Sequence, residues 1–253
     1  MSTAGAYLYG FTESSFEPTP GLRGLRGAPV TVITFADIAA VVSQHPVQRL
    51  MPARSNVEPH HRVVRQVSGE RTLVPAAFGH VGDSDADILA VLRANHRDIR
   101  AEIDRLAQKC EMGIKVSWNV DNIFNFMVRT NRELRQFRDR VFRGREPSMN
   151  DKLQVGATFE ATLAHERERL TALVLGAVKP VIRDVFHTPP RQEKTACELA
   201  LLIDRARMAE FEEALRHMAT LFDANFTIEY TGPWPPYSFV HLRLQLPERL
   251  ASA

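Results

Sequence analysis

The chain has 253 residues, 44% of them hydrophobic and 25% charged, with a formal net charge of +2. This is the composition of a globular protein of one large or two small domains, and its near-neutrality sets aside any requirement for nucleic acid or an anionic membrane. Cys110 and Cys197 are too few for a disulfide framework or zinc knuckle and point to a reducing cytoplasm; no run approaches the roughly 18 apolar residues of a membrane span, and MSTAGAYLYGF lacks the pattern of a signal peptide.

In chain order, residues 6–11 (AYLYGF) predict a first strand. Residues 12–28 are rich in Ser, Pro and Gly. Their GLRGLRG run fits neither GxxxxGK[ST] nor GxGxxG and is expected to be a flexible basic loop. Residues 30–33 and 38–43 predict strands, the second buried on both faces, with Asp37 in the turn between them. Residues 58–68 set His61, Val64 and Val67 at helical spacing, with Gly69 as the C-terminal cap. Residues 72–78 (TLVPAAF) predict a strand that Pro75 confines to an edge or a bulge. Ser84 and Asp87 have capping-box spacing. The stripe Ile88, Leu92, Asn95, Ile99, Ile103, Leu106 and Cys110 then predicts one amphipathic helix of about seven turns, stopped by Gly113. Residues 114–118 (IKVSW) alternate as a strand.

Strands carrying two helices on one face make residues 1–120 an N-terminal ferredoxin-like α+β sandwich. Residues 121–253 form a second α+β domain with a long helical hairpin. Its first arm is the stripe Ile123, Met127, Leu134, Phe137 and Val141, closed by Gly144 and Pro147; its second runs over residues 150–185, kinked or divided at Pro180. A strand at 195–203, a helix at 208–222 and a strand at 226–230 follow. Residues 231–240 (TGPWPPYSFV) form a rigid aromatic corner, because proline fixes φ and withholds a donor, and residues 237–246 are the last strand.

Catalysis needs convergent acid, base, nucleophile or metal ligands, and this sequence places none together. The nine histidines are scattered except for His60 and His61, which point about 100° apart on a helix and chelate one metal poorly. HExxH, CxxC and GxSxG are missing, and Asp83, Asp85 and Asp87 lack the glycine and glutamate of a calcium loop. No enzyme activity, cofactor or metal is expected. Arg129, Arg132, Arg135, Arg138, Arg140, Arg143 and Arg145 offer a polyanion- or nucleic-acid-binding alternative over residues 129–145. Steps of three spread these side chains around a helix, however, and Glu133 and Asp139 answer them, so a solvated face is the plainer reading.

Taken together, YLYG at residues 7–10, AVVS at 40–43, LVPAAFG at 73–79, IKVSW at 114–118 and TGPWPPYSFV at 231–240 resemble the gas vesicle accessory protein family GvpL/GvpF over nearly the whole chain. The resemblance implies a non-enzymatic, two-domain α/β protein in the cytoplasm or at the gas vesicle. Such a protein binds the small hydrophobic shell protein GvpA and other accessory proteins, as a chaperone or minor structural component, without nucleic acid or a membrane span. One departure is Ala77, which stands where the family's LPxRFG pattern carries a basic residue. A shell-handling protein needs apolar docking surface and an available sheet edge rather than acid-base groups. Trp234, Tyr237 and Phe239 of the corner, with Pro75 and Phe78 of the edge, are the candidate partner-binding residues. The competing expectation is that the corner rings only close a core.

Overall fold

The computed structural model describes residues 4–47, 50–142 and 148–245. The described residues form an α+β fold with two antiparallel sheets and seven α-helices. Two compact units are distinguished: Met112–Gly232, and Met1–Glu111 joined by Pro233–Ala253. The chain thus returns to the first unit at Pro233, whereas the sequence alone suggests a division at 120/121.

In the first unit, β1 (Ala4–Glu13) lies between β3 (Ile38–Pro46) and an interrupted edge made of β4 (Val74–Pro75) and β5 (Val81–Gly82), while β2 (Val30–Phe35) pairs with the far side of β3. Ile38, Ala39, Ala40 and Val41 are fully buried, as a central strand of continuous apolar residues requires. The β2–β3 turn is Ala36–Asp37, with Ala36 in the left-handed region at φ 51°. Asp37 then accepts from His96 Nε2 at 2.5 Å and tethers this hairpin to a helix.

Helix α1 (Arg54–Glu70) runs past Gly69 and is capped by Arg71, so Gly69 is helical rather than terminal. Its buried face carries His60, Val63, Val64 and Val67 against Tyr7, Tyr9 and Leu25, while His61 is exposed. The predicted seven-turn helix is two helices, α2 (Asp85–Ala94) and α3 (His96–Leu106), broken at Asn95. Ser84 caps α2 by accepting from the Asp87 amide, as its spacing predicts. Residues 12–28 are packed rather than flexible, because Phe16 and Leu25 enter the core. A Cβ on Gly24 would lie 1.9 Å from Tyr9 Oη, so only glycine lets this loop close over the tyrosine.

In the second unit, β6 (Lys109–Trp118), β7 (Asp184–His187), β8 (Thr195–Asp204) and β9 (Phe226–Trp234) form a sheet of order β7-β8-β6-β9. With helices between β6 and β7 and between β8 and β9, this unit has the β-α-β-β-α-β order of the split βαβ motif. Gly113 does not stop a helix. It sits within β6, where an added Cβ would meet Thr231 Oγ1 at 2.6 Å. The hairpin's first arm is likewise two helices, α4 (Ile123–Thr130) and α5 (Arg132–Phe142), separated by Asn131, whose Oδ1 accepts from the Leu134 amide. Gly144 and Pro147, expected to close that arm, lie outside the described residues.

The second arm, α6 (Met149–Val178), has 30 residues and begins with a Ser148/Asp151 capping box. It ends before Pro180, which cannot donate to the helix, and Val185 belongs to β7. Phe124 and Phe159 fix the two arms with ring centroids 5.2 Å apart. Helix α7 (Met208–Ala219) packs Phe211, Leu215 and Met218 inward.

Candidate functional site

The carboxyl-terminal stretch departs from the strand predicted for residues 237–246. A 3-10 turn over Tyr237–Phe239 is followed by chain outside either sheet through residue 245, and Leu246 lies outside the described residues. This strap is fastened by side chains of the first unit. Glu111 accepts from the Ser238 amide at 2.8 Å and from Ser238 Oγ at 2.9 Å. Glu102 Oε1 accepts from the His241 amide at 2.7 Å, and Arg105 donates to the Phe239 carbonyl. Asn95 takes both main-chain groups of Gln245: its Oδ1 accepts from the amide at 2.7 Å and its Nδ2 donates to the carbonyl at 3.0 Å. These groups replace the ladder that a neighbouring strand would supply. They explain why a period-two sequence remains outside the sheet.

His60 ties this corner to the edge of the sheet. Tyr7 Oη lies 2.8 Å from His60 Nδ1, Tyr237 Oη lies 3.2 Å from His60 Nε2, and the Gly79 amide donates to Tyr7 Oη at 3.2 Å. Burial pushes the Tyr7 and Tyr237 phenols well above their ordinary value, so both keep their protons beside the two ring nitrogens of His60. Desolvation by burial, reinforced by His61 and opposed by the Ala76 carbonyl, lowers the His60 pKa to about 4. His60 is neutral near pH 7 and ties the two tyrosines together.

The predicted partner-binding residues meet different fates. Phe239 is 1% exposed and closes the core, and Tyr237 is half-buried on His60. Trp234 is 36% exposed, with the Arg65 guanidinium 4.6 Å above its ring. Pro75 is buried on the edge pair, opposite Gly10, and Phe78 is half-buried against the His60 ring. Pro75 and Tyr237 border one cavity of about 520 Å³. The β4–β5 edge, with Ala76 and Ala77, forms one wall and the strap residues Val240, Leu242 and Leu244 form another, while Leu8, Phe11, Ile88 and Val91 line it from β1 and α2. The strap residues are the part that pattern reading misses. VHLRLQL does alternate, but the pattern reveals only that one face is apolar and cannot say that this face borders a cavity.

Other chemistry stays dispersed. Among the described residues no group of three His, Cys, Asp or Glu could hold a metal, and no helix is long and apolar enough to cross a membrane. On α4 and α5, Arg138 pairs with Asp139 at 2.5 Å and Arg129 lies over Phe126, while Arg143 and Arg145 fall outside the described residues. The arrangement defines a two-unit α+β protein with an apolar cleft bordered by a sheet edge.

That description meets a known class. Residues 5–241 match the family described as gas vesicle synthesis protein GvpL/GvpF, and the chain belongs to that family. It is 26% identical to gas vesicle protein F of Dolichospermum flosaquae over 239 residues, covering 93% of this chain and 97% of that protein. Gas vesicle protein L of Haloferax mediterranei is 25% identical, with coverage of 85% and 72%. The crystal structure of gas vesicle protein GvpF from Anabaena sp. PCC7120 superposes with a TM-score of 0.83 at 24% identity, covering 95% of this chain and 99% of that one. GvpF from Microcystis aeruginosa gives 0.80 at 21% identity, with coverage of 94% and 99%. These two likenesses establish the fold, and the family places the chain in gas vesicle synthesis.

Proposed function

We propose that this chain serves gas vesicle assembly without catalysis, by docking the hydrophobic shell protein GvpA, with other accessory proteins as further partners. It would work in the cytoplasm and at the growing vesicle. The observation that carries the reading is the apolar cleft beside Pro75 and Ala77. An aggregation-prone subunit gains from covering its apolar surface, at about 25 cal/mol per Å² removed from water, and it requires no acid-base group to do so.

Ala77 supplies a clean test, because it is exposed at the cleft wall and its replacement leaves the core untouched. Ala77→Asp places a negative charge at the cleft wall, opposite in sign to the basic residue that the family's LPxRFG pattern carries there. It should reduce capture of co-expressed GvpA at least tenfold while the melting temperature stays within a few degrees of the parent. Full capture by a folded Ala77→Asp protein would remove the cleft from the account. Salt-sensitive binding to random DNA would instead favour the arginine-bearing helices.

A further inference from the structure

The basic loop of residues 21–27 is a fixed surface of the first unit. Its chain reverses through bonds from the Gly24 amide to the Ala28 carbonyl at 2.8 Å and from the Val30 amide to the Leu22 carbonyl at 3.1 Å. Leu25 is fully buried, and its amide donates to Tyr9 Oη at 2.9 Å, which pins the loop from beneath. Gly21 and Gly27 take positive φ, as glycine readily does, but Arg26 is also left-handed at φ 53°. That conformation costs a side chain about 1–2 kcal/mol, yet the side chain held there is exposed and has no ion-pair partner among the described residues.

Helix α1 extends this surface. Arg62 donates to the Arg23 carbonyl at 3.3 Å, and Arg65 follows one turn later with its guanidinium 4.6 Å above the Trp234 ring. Arg23, Arg26, Arg62 and Arg65 are all exposed, and none has an acidic partner among the described residues. Stacking occupies only the face of the Arg65 guanidinium, so its in-plane N–H donors stay available to a carboxylate. The neighbouring acids are already engaged, Glu58 with Arg54 and Glu111 with Ser238. Arg65 also borders a cavity of about 370 Å³, with His61, Glu111, Trp234, Pro235 and Tyr237.

We propose that the loop and α1 form a docking site for an acidic segment of a partner protein. Its carboxylates bond Arg23, Arg26, Arg62 and Arg65, and an apolar side chain enters the cavity beside Trp234. The site is separate from the cleft and does not depend on what docks there. Charge complementarity selects this occupant: four guanidinium groups without acidic partners, beside an aromatic ring, fit carboxylates spaced along a chain that also carries apolar groups. A nucleic acid fits less well. Its unbroken row of phosphates would also meet Glu58, one turn before Arg62, and Glu111 in the cavity, whereas a peptide can set its charges between them.

The test is fluorescence anisotropy of a labelled peptide of alternating glutamate and leucine, titrated with the full chain. Arg26→Glu and Arg62→Glu should each weaken binding about tenfold, with melting temperatures near that of the parent because both side chains are exposed. Trp234→Ala should weaken it about fivefold. Arg191→Glu makes the same charge change on an exposed side chain between β7 and β8 and should leave the affinity within about twofold. The glutamine–leucine counterpart should not bind. Failure of the glutamate–leucine peptide to bind, equal weakening by Arg191→Glu, or parent-like affinity in both Arg26→Glu and Arg62→Glu would overturn the proposal. Tighter binding of a single-stranded DNA, lost in the same two variants, would assign the patch to nucleic acid and overturn it too. Self-association of the chain that Arg26→Glu abolishes would assign the patch to a second copy, with the same consequence.

Discussion

His60 illustrates how much one buried polar residue settles in this protein. It is fully buried, and both ring nitrogens are occupied by tyrosine hydroxyls that come from opposite ends of the sequence. Protonating it would place a charge in that core, so acid should act through this side chain. Its folded pKa, about 4, lies below the unfolded value near 6.5. The folded state therefore binds fewer protons, and the associated stability is complete above pH 6.5 and lost as pH falls from there toward 4. Linkage makes this about 3 kcal/mol, and denaturant titrations at successive pH values would measure it. The exposed pairs involving Asp37 and Asp104, whose carboxyls are held low by His96 and Arg100 respectively, lose their contribution lower, below the ordinary aspartate value. His60→Phe should flatten the slope between pH 6.5 and 4; an unchanged slope would assign it to another group. His60→Ala, which also leaves a cavity and two unpaired hydroxyls, should cost about 2–5 kcal/mol.

At the scale of elements, the strap is where side chains do the work of a sheet. Asn95 breaks a helix and spends its amide on the Gln245 main chain, so Asn95→Ala should cost about 1–3 kcal/mol and make the Gln245 amide exchange rapidly. Slow exchange of Gln245 in that variant would show that the strap is held elsewhere. The same residue shows where the sequence ceases to be legible. Its 3-4 spacing places Asn95 on the apolar stripe, and periodicity alone reads through it as one helix. Its role depends on a contact 150 positions away, which no local pattern reports. The strands at β1, β3 and β8 and the second half of β6 (residues 114–118) were readable because burial on one or both faces writes period two or a continuous apolar run into the residues, whereas residues 109–113 of β6 were read as the end of a helix. Pro75 at an edge was readable too, since only there is its missing donor tolerated. The candidate site was half legible. Pro75 and Tyr237 do border the cleft, but Phe239 is buried, and Val240, Leu242 and Leu244 emerge only once the strap is seen outside the sheet.

At the scale of the whole molecule, the two units use strands differently. Met112–Gly232 carries a four-stranded sheet of split βαβ order with helices α4 to α7, whereas the first unit ends its sheet in the short, interrupted β4–β5 edge beside an apolar cleft. An interrupted edge is a usual way to discourage indiscriminate pairing. The central claim, that the shell protein docks at this cleft, is tested most directly by a photo-crosslinking amino acid placed at Ala77 in cells making gas vesicles, with exposed His165 on α6 as the control position. The account predicts a covalent adduct of this chain with GvpA from position 77 and none from position 165. Equal adducts from both positions, or none from position 77 in cells where position 165 crosslinks to GvpA, would contradict it.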